Sequence, residues 1–199
     1  MSSSDAPQPL HDLLARRWSS RRFAAMPLPE ATIETLIEAA RWAPSYGNRQ
    51  PWRFIVVTDP QVRARIHAAL TRGNAYAKVA PVLIAVCGDP DDGQIVDGKQ
   101  YYLMDAGMAL ENMLLQAVAL DLHAHSLGGF DEAIVRDVLG IPQQVRVLAL
   151  VAIGWPGRLE DLDERTRERE LRERTRRPVD QIRSYDTWNF DSGDGLDVP

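Results

Sequence analysis

The chain has 199 residues, enough for one domain with a proper core, and its composition is ordinary: 45% hydrophobic, 26% charged, with a formal net charge of -5. That mild acidic balance argues against a surface for nucleic-acid backbones, which requires a strong basic excess. The single cysteine, Cys87, lies inside the apolar run VLIAVC; it excludes an intramolecular disulfide and any CxxC metal or redox motif, and reads as a small buried hydrophobe.

In chain order, the opening MSSSDAPQPL is small and polar, and residues 1 to 8 are predicted to be a loose tail. It has no charged start followed by an apolar stretch, and no segment is long and apolar enough to span a bilayer, so a cytoplasmic setting is expected. A first helix is predicted over His11 to Trp18, with an Arg/Ser cluster at its end. The next is the clearest: Ile33, Leu36, Ile37 and Ala40 repeat at i, i+3, i+4 and i+7, Pro29 can occupy the first turn, and Ala43 ends it because the residue before Pro44 is pushed out of the α region. A strand over Phe54 to Thr58 and a helix over Gln61 to Leu70 follow, then the polar turn TRGNAY and a second strand, Val82 to Cys87. The segment GDPDDGQIVDG is rich enough in Gly and Asp to predict loop alone.

From Lys99 to Leu120 a long helix is predicted that is apolar around most of its circumference, hence central to a core or shared between two subunits. His123 to Leu127 suits a short strand, Asp131 the cap of a helix ending at Gly140 and Pro142, and Val145 to Ile153 a strand buried on both faces. Beyond Gly157 the composition turns to mixed charge, which divides the chain into a core over residues 1 to 157 and an arm over 158 to 199. Glu164, Glu168, Glu170 and Glu173 offset the arginines of Arg165 to Arg177 at helical spacing and predict a solvated, salt-bridged helix. Val179, Ile182, Tyr185, Trp188 and Phe190 then restore apolar anchors, so the arm is expected to dock on something.

Three polar clusters are candidates for function. Arg16, Arg17, Arg21 and Arg22, interleaved with Ser19 and Ser20, have the forked donors and hydroxyls of an anion site; two serines and an aromatic serve no capping purpose at a helix end. The stretch APSYGNRQPW sets Ser45, Tyr46, Asn48 and Gln50 around Gly47 between an apolar helix and a strand, either as a binding turn or as an ordinary connector. The pair Gly128-Gly129 lets a backbone approach a flat ligand, or is a plain turn. The histidines form no metal set, since His123 and His125 have no third ligand near them in sequence, and no GxGxxG, P-loop or GxSxG is present.

Taken together, the Arg17, Ser19, Arg21, Phe23 series, PSYGNRQPW, SLGGFD after the long helix and an Arg-x-Arg near the C-terminus resemble the nitroreductase family of FMN flavoenzymes. The resemblance implies an α+β fold with a central, mostly antiparallel sheet flanked by helices. It also implies an intertwined homodimer with a C-terminal arm and FMN sites at the interface. The implied activity is reduction of nitroaromatics, quinones or related small electron acceptors with NADH or NADPH as donor. The same flavin site could also serve reductive dehalogenation, ene reduction, flavin breakdown or flavin binding without catalysis.

By this resemblance Arg17 and Ser19 hold the FMN phosphate, with Arg174 and Arg176 reaching it from the arm. Trp18 stands among them where relatives often carry a basic residue or histidine. Arg21 lies at the pyrimidine edge of the flavin, where a fixed cation favours hydride addition. Pro44, Ser45, Tyr46 and Asn48 come from the partner subunit with Gln50 in support, and Asn74 bonds the ring edge. Gly128 and Gly129 bring a backbone N–H to the reactive ring nitrogen, flanked by Ser126 and Leu127. Arg21 and Gly128 are the positions expected to act in catalysis.

Overall fold

Two apolar runs, VLIAVCG and RVLALVAIG, become the paired central strands of a four-stranded sheet, so neither shows a polar face. The structure, a computed structural model, describes residues 8–190. Its regular elements are α1 (Asp12–Arg16), α2 (Glu30–Arg41), β1 (Trp52–Val57), α3 (Pro60–Ile66), β2 (Val82–Gly88), β3 (Ile95–Val96), β4 (Lys99–Gln100), α4 (Tyr101–Ala119), β5 (His123–Leu127), α5 (Glu132–Leu139), β6 (Arg146–Gly154) and α6 (Glu164–Leu171). The strand order is β1-β2-β6-β5, and every ladder is antiparallel.

Alternation divides the core into two layers. Val82, Ile84 and Val86 of β2, with Ala149, Val151 and Ile153 of β6, face α2 and α4. Leu83, Ala85 and Cys87, with Val147, Leu150 and Ala152, face α3, α5 and a 3-10 segment over Arg72–Val79. The alternation survives an irregularity: the partner of Val86 is Ala149 but that of Cys87 is Val147, so Leu148 is the extra residue of a bulge. α4 lies close to α2 through Ala106, Ala109 and Ala117, yet its Leu103 and Met104 remain exposed.

The α+β layering and the antiparallel sheet agree with the sequence, and the boundaries move for physical reasons. α1 stops at Arg16 because Arg17 is already extended (φ -55, ψ 123) and starts a strand-like segment. α2 ends at Arg41, before Ala43. α3 covers only Pro60–Ile66, because Leu70 leaves to bridge Phe130. GDPDDGQIVDG is not all loop: Ile95 and Val96 pair with Lys99 and Gln100 across Asp97-Gly98, whose φ values of 51 and 78 make the left-handed hairpin turn that this dipeptide favours. Lys99 and Gln100 therefore precede α4. The mixed-charge helix is shorter than predicted, ending at Leu171, and its Glu170 is buried instead of solvated. The tail predicted over residues 1 to 8 lies outside the described residues except for Gln8, as do the last nine residues of the arm.

Ile84 is fully buried between α2, α4 and the sheet. Ile84→Ala should cost about 2–5 kcal/mol, read by chemical denaturation with an unchanged m-value.

Candidate active site

The chain leaving α1 runs extended along the outer edge of β5. Ser19 bridges Ala124 in parallel, Phe23 bridges Pro156, and the N–H of Ala24 donates to the Trp155 carbonyl at 2.9 Å. Glu170 of α6 clamps this segment: its carboxylate accepts from Ser20 Oγ at 2.6 Å, the Arg21 N–H at 2.8 Å and Arg22 Nε at 3.1 Å. Burial works against the charged form of Glu170, but these donors together hold its pKa below the ordinary carboxylate value. From the other side, the histidines of β5 hold the carbonyls: His123 Nδ1 donates to Arg22 O at 2.8 Å and His125 Nδ1 to Ser20 O at 3.1 Å. The Tyr76 hydroxyl lies 3.2 Å from Nδ1 and 3.1 Å from Nε2 of His125, and with Nδ1 protonated Nε2 is the ring nitrogen able to accept from it.

This double clamp fixes Arg21. Its guanidinium lies 5.8 Å from the Tyr76 ring centroid, Nη1 donates to the Arg169 carbonyl at 3.3 Å, and Nε is buried with no partner. Burial, then the neighbouring Arg169 charge, lowers its pKa; an arginine side chain nevertheless stays protonated in proteins. Burial pushes the Tyr76 phenol up to about 12 and the His125 imidazole down to about 4. Both groups therefore stay neutral near pH 7, and Arg21 keeps the local positive charge. A cavity of about 730 Å³ opens against Arg21, Tyr76, Phe23 and the turn Pro156–Arg158.

Arg17 donates to Ser19 Oγ at 3.3 Å and lies 3.6 Å from the Glu111 carboxylate. Arg174 stacks on Trp18 at 5.5 Å and donates to the Ala15 carbonyl at 2.6 Å, so the arm returns to the end of α1 and Trp18 is the platform. Among the described residues Arg176 bonds only the carbonyl of Thr175 and is not brought to this group.

Ser126 and Leu127 end β5, with Leu127 buried and Ser126 half-buried. The glycines that follow differ: an added Cβ at Gly128 would meet nothing within 4 Å, but at Gly129 it would lie 2.8 Å from Thr71 Oγ1 and 2.9 Å from Asn74 Nδ2. Asn74 donates to the Gly129 carbonyl at 2.9 Å, so it holds this turn, and Gly129 is required by packing. Gly128 is the open position.

Ser45 to Gln50 form a separate turn with left-handed backbone at Gly47, Asn48 and Gln50 (φ 57, 55 and 52), unusual for Gln. Pro44 leads into it. Ser45 Oγ accepts from the Gln50 N–H at 3.0 Å, Asn48 Oδ1 from Gln50 Nε2 at 3.1 Å, and the buried carboxylate of Asp105 from the Tyr46 N–H at 3.1 Å. The turn is thus tied to α4 at Asp105, whereas Arg17 approaches the same helix at Glu111. At about 1.5 Å and 100° per residue these anchors are roughly 9 Å apart along the axis and face directions roughly 120° apart. Within one chain the turn and the Arg17 cluster therefore occupy different sides of α4.

Glu170, His125, Tyr76 and Asp105 are the organising residues that the sequence did not single out. A glutamate among many alternating charges carries no local mark of burial, and Tyr76 sits in a segment read as a plain polar turn.

The sequence matches the profile of the Nitroreductase family over residues 14–90 and 73–155. A protein of Thermus thermophilus named NADH dehydrogenase is 31% identical over 172 residues, covering 71% of this chain and 83% of its own. A crystal structure described as an oxidoreductase containing FMN superposes with a TM-score of 0.84 at 31% identity, covering 96% of this chain and all of that one. A nitroreductase family protein from Clostridium novyi superposes with a TM-score of 0.70 at 27% identity, covering 76% of this chain and 87% of that one.

Two predictions follow from the clamp. Because the His125 pKa is lowered, the folded state binds fewer protons than the unfolded chain between about pH 6.5 and 4; the contribution to stability is complete above that window and lost as pH falls through it. The Tm should fall over this range, and His125→Gln should flatten the fall in part, since His67 and His123 are shifted in the same direction. Glu170→Ala should cost about 1–3 kcal/mol in a denaturant titration, from donors left buried without an acceptor.

Proposed function

Because the chain belongs to the nitroreductase family, we propose that it is an FMN-dependent oxidoreductase, using NADH or NADPH to reduce a small nitroaromatic, quinone or related acceptor. The observation that carries this reading is Arg21, a half-buried guanidinium whose Nε is buried without a partner among the described residues, at the wall of a large cavity. The other parts fit the cofactor chemically. Arg17, Ser19 and Arg174 on Trp18 gather the forked and hydroxyl donors that suit a phosphate. Gly128 leaves open space beside its backbone, where a flat ring needs it. When bound, FMN would accept hydride from the nicotinamide donor and pass the electrons to the acceptor.

The chain's own contribution is positioning and charge. Arg21 supplies a fixed cation in a site where burial weakens solvent screening, which favours steps that build negative charge against it. Neutral His125 and Tyr76 add no counter-charge to Arg21, and the one carboxylate that acts on it, Glu170, is shared with Ser20 and Arg22.

We further propose that the active unit is a homodimer, with the Ser45–Gln50 turn of one copy completing the site of the other. Leu103 and Met104 of α4 and Tyr46 of the turn are exposed together with Trp42. In the arm, Ile182, Tyr185 and Trp188 leave 63, 72 and 85% of their surface uncovered, which suits docking on a second copy.

Purified protein should be yellow or become so with FMN, and bleach under anaerobic NADH or NADPH; protein that stays colourless with FMN overturns the reading. In the FMN-loaded form, Arg21→Ala should slow flavin reduction at saturating donor by about a hundredfold or more. Gly128→Val should lower FMN occupancy at unchanged Tm, whereas Gly129→Val should lower the Tm itself.

A further inference from the structure

Beside the cavity that Arg21 lines lies a second, of about 320 Å³, which shares Ala75, Tyr76 and Asp163 with it. Arg72, Arg165 and Arg169 converge on this smaller space. Among the described residues none of the three is in an ion pair. Arg169 donates to the Gly73 carbonyl at 3.2 Å, which leaves the rest of its fork free of protein acceptors among those residues. Asp163 is the one acid in the wall, and it is engaged as the cap of α6: it accepts from the Thr166 N–H at 3.0 Å and the Thr166 hydroxyl at 2.7 Å. Glu170, next in chain to Arg169, turns the other way to Ser20.

Three guanidinium charges facing one carboxylate, that of Asp163, leave a net positive space, and their mutual repulsion is relieved by an anionic ligand. Planar guanidinium forks match phosphate and carboxylate oxygens in pairs, and three of them around one space favour the higher charge and larger oxygen count of a phosphate. The smaller cavity lies at the lower end of ligand-site volumes, roughly 300–1,000 Å³, so it suits a phosphorylated nucleoside and not a whole dinucleotide. The shared wall at Tyr76 continues it into the larger cavity.

We propose that Arg72, Arg165 and Arg169 form a basic subsite that binds phosphate of the nicotinamide dinucleotide donor, the remainder of which lies along the cavity lined by Arg21. This assignment rests on the redox reading above, and it makes α6 a donor-recognition element.

The test uses the full-length, FMN-loaded protein and the double variant Arg72→Gln/Arg165→Gln. Among the described residues neither side chain makes a hydrogen bond, so the fold should be retained, with the Tm as the check. By calorimetry, adenosine 2′,5′-bisphosphate should bind the double variant at least tenfold more weakly than the wild type, with the difference shrinking in high salt. Donor KM should rise by a similar factor at unchanged kcat and FMN content. A rise confined to NADPH assigns the 2′-phosphate, and an equal rise with NADH assigns the pyrophosphate. Equal nucleotide affinity in both proteins overturns the subsite, and inorganic phosphate binding as tightly as the nucleotide reduces it to an adventitious ion only. A wild type that neither donor bleaches overturns the redox reading itself, whereas a bleached wild type with an insensitive double variant overturns the subsite alone.

Discussion

The buried carboxylate of Glu170 is the contact on which the placement of the site depends. A lone charge removed from water is costly, and this one is stabilised by a hydroxyl, a backbone N–H and a guanidinium, all from the three consecutive residues Ser20, Arg21 and Arg22. Such a carboxylate does more than join α6 to the core. It holds the backbone of Arg21 from one side while His123 and His125 hold the neighbouring carbonyls from the other. A side chain as long as arginine is a poor electrostatic device unless its backbone is fixed, because rotamer freedom spreads the charge.

The same segment solves a problem of the sheet. β5 is an edge strand, and an open edge invites unwanted pairing; the Arg17–Phe23 segment runs along its outer side while presenting Arg17, Ser19 and Arg21. At the end of β5 the chain passes through Leu127 into the open backbone of Gly128, so one strand supplies the buried anchor, the histidines and the glycine approach. The central strands β2 and β6, apolar on both faces, give this edge a rigid support.

Much of this was legible in the sequence, and the limits are physical. α2 was readable from its apolar periodicity, and β2 and β6 from apolar, β-branched runs between turn signals. The Asp97-Gly98 hairpin carries a specific turn dipeptide, but it lies within a segment whose Gly and Asp content alone reads as loop. The bulge at Leu148 had no local signal, since any residue of an apolar run can be the extra one. Arg17, Ser19 and Arg21 stood out because their density had no structural purpose at a helix end. Glu170 did not, because its burial depends on a contact about 150 residues away along the chain. Gly128 and Gly129 were indistinguishable as letters, and only Thr71 and Asn74 separate their roles.

In the proposed homodimer the arginine cluster and the Ser45–Gln50 turn act in one site, although α4 holds them on different sides within a chain. Complementation tests it most directly: an Arg17→Glu subunit and an Asn48→Trp subunit, each inactive as a homodimer, are mixed under conditions that allow exchange. Heterodimers should recover FMN and activity at one site each. Heterodimers confirmed by native mass spectrometry that remain colourless and inactive would contradict it, and would mean that each site is built within a single chain.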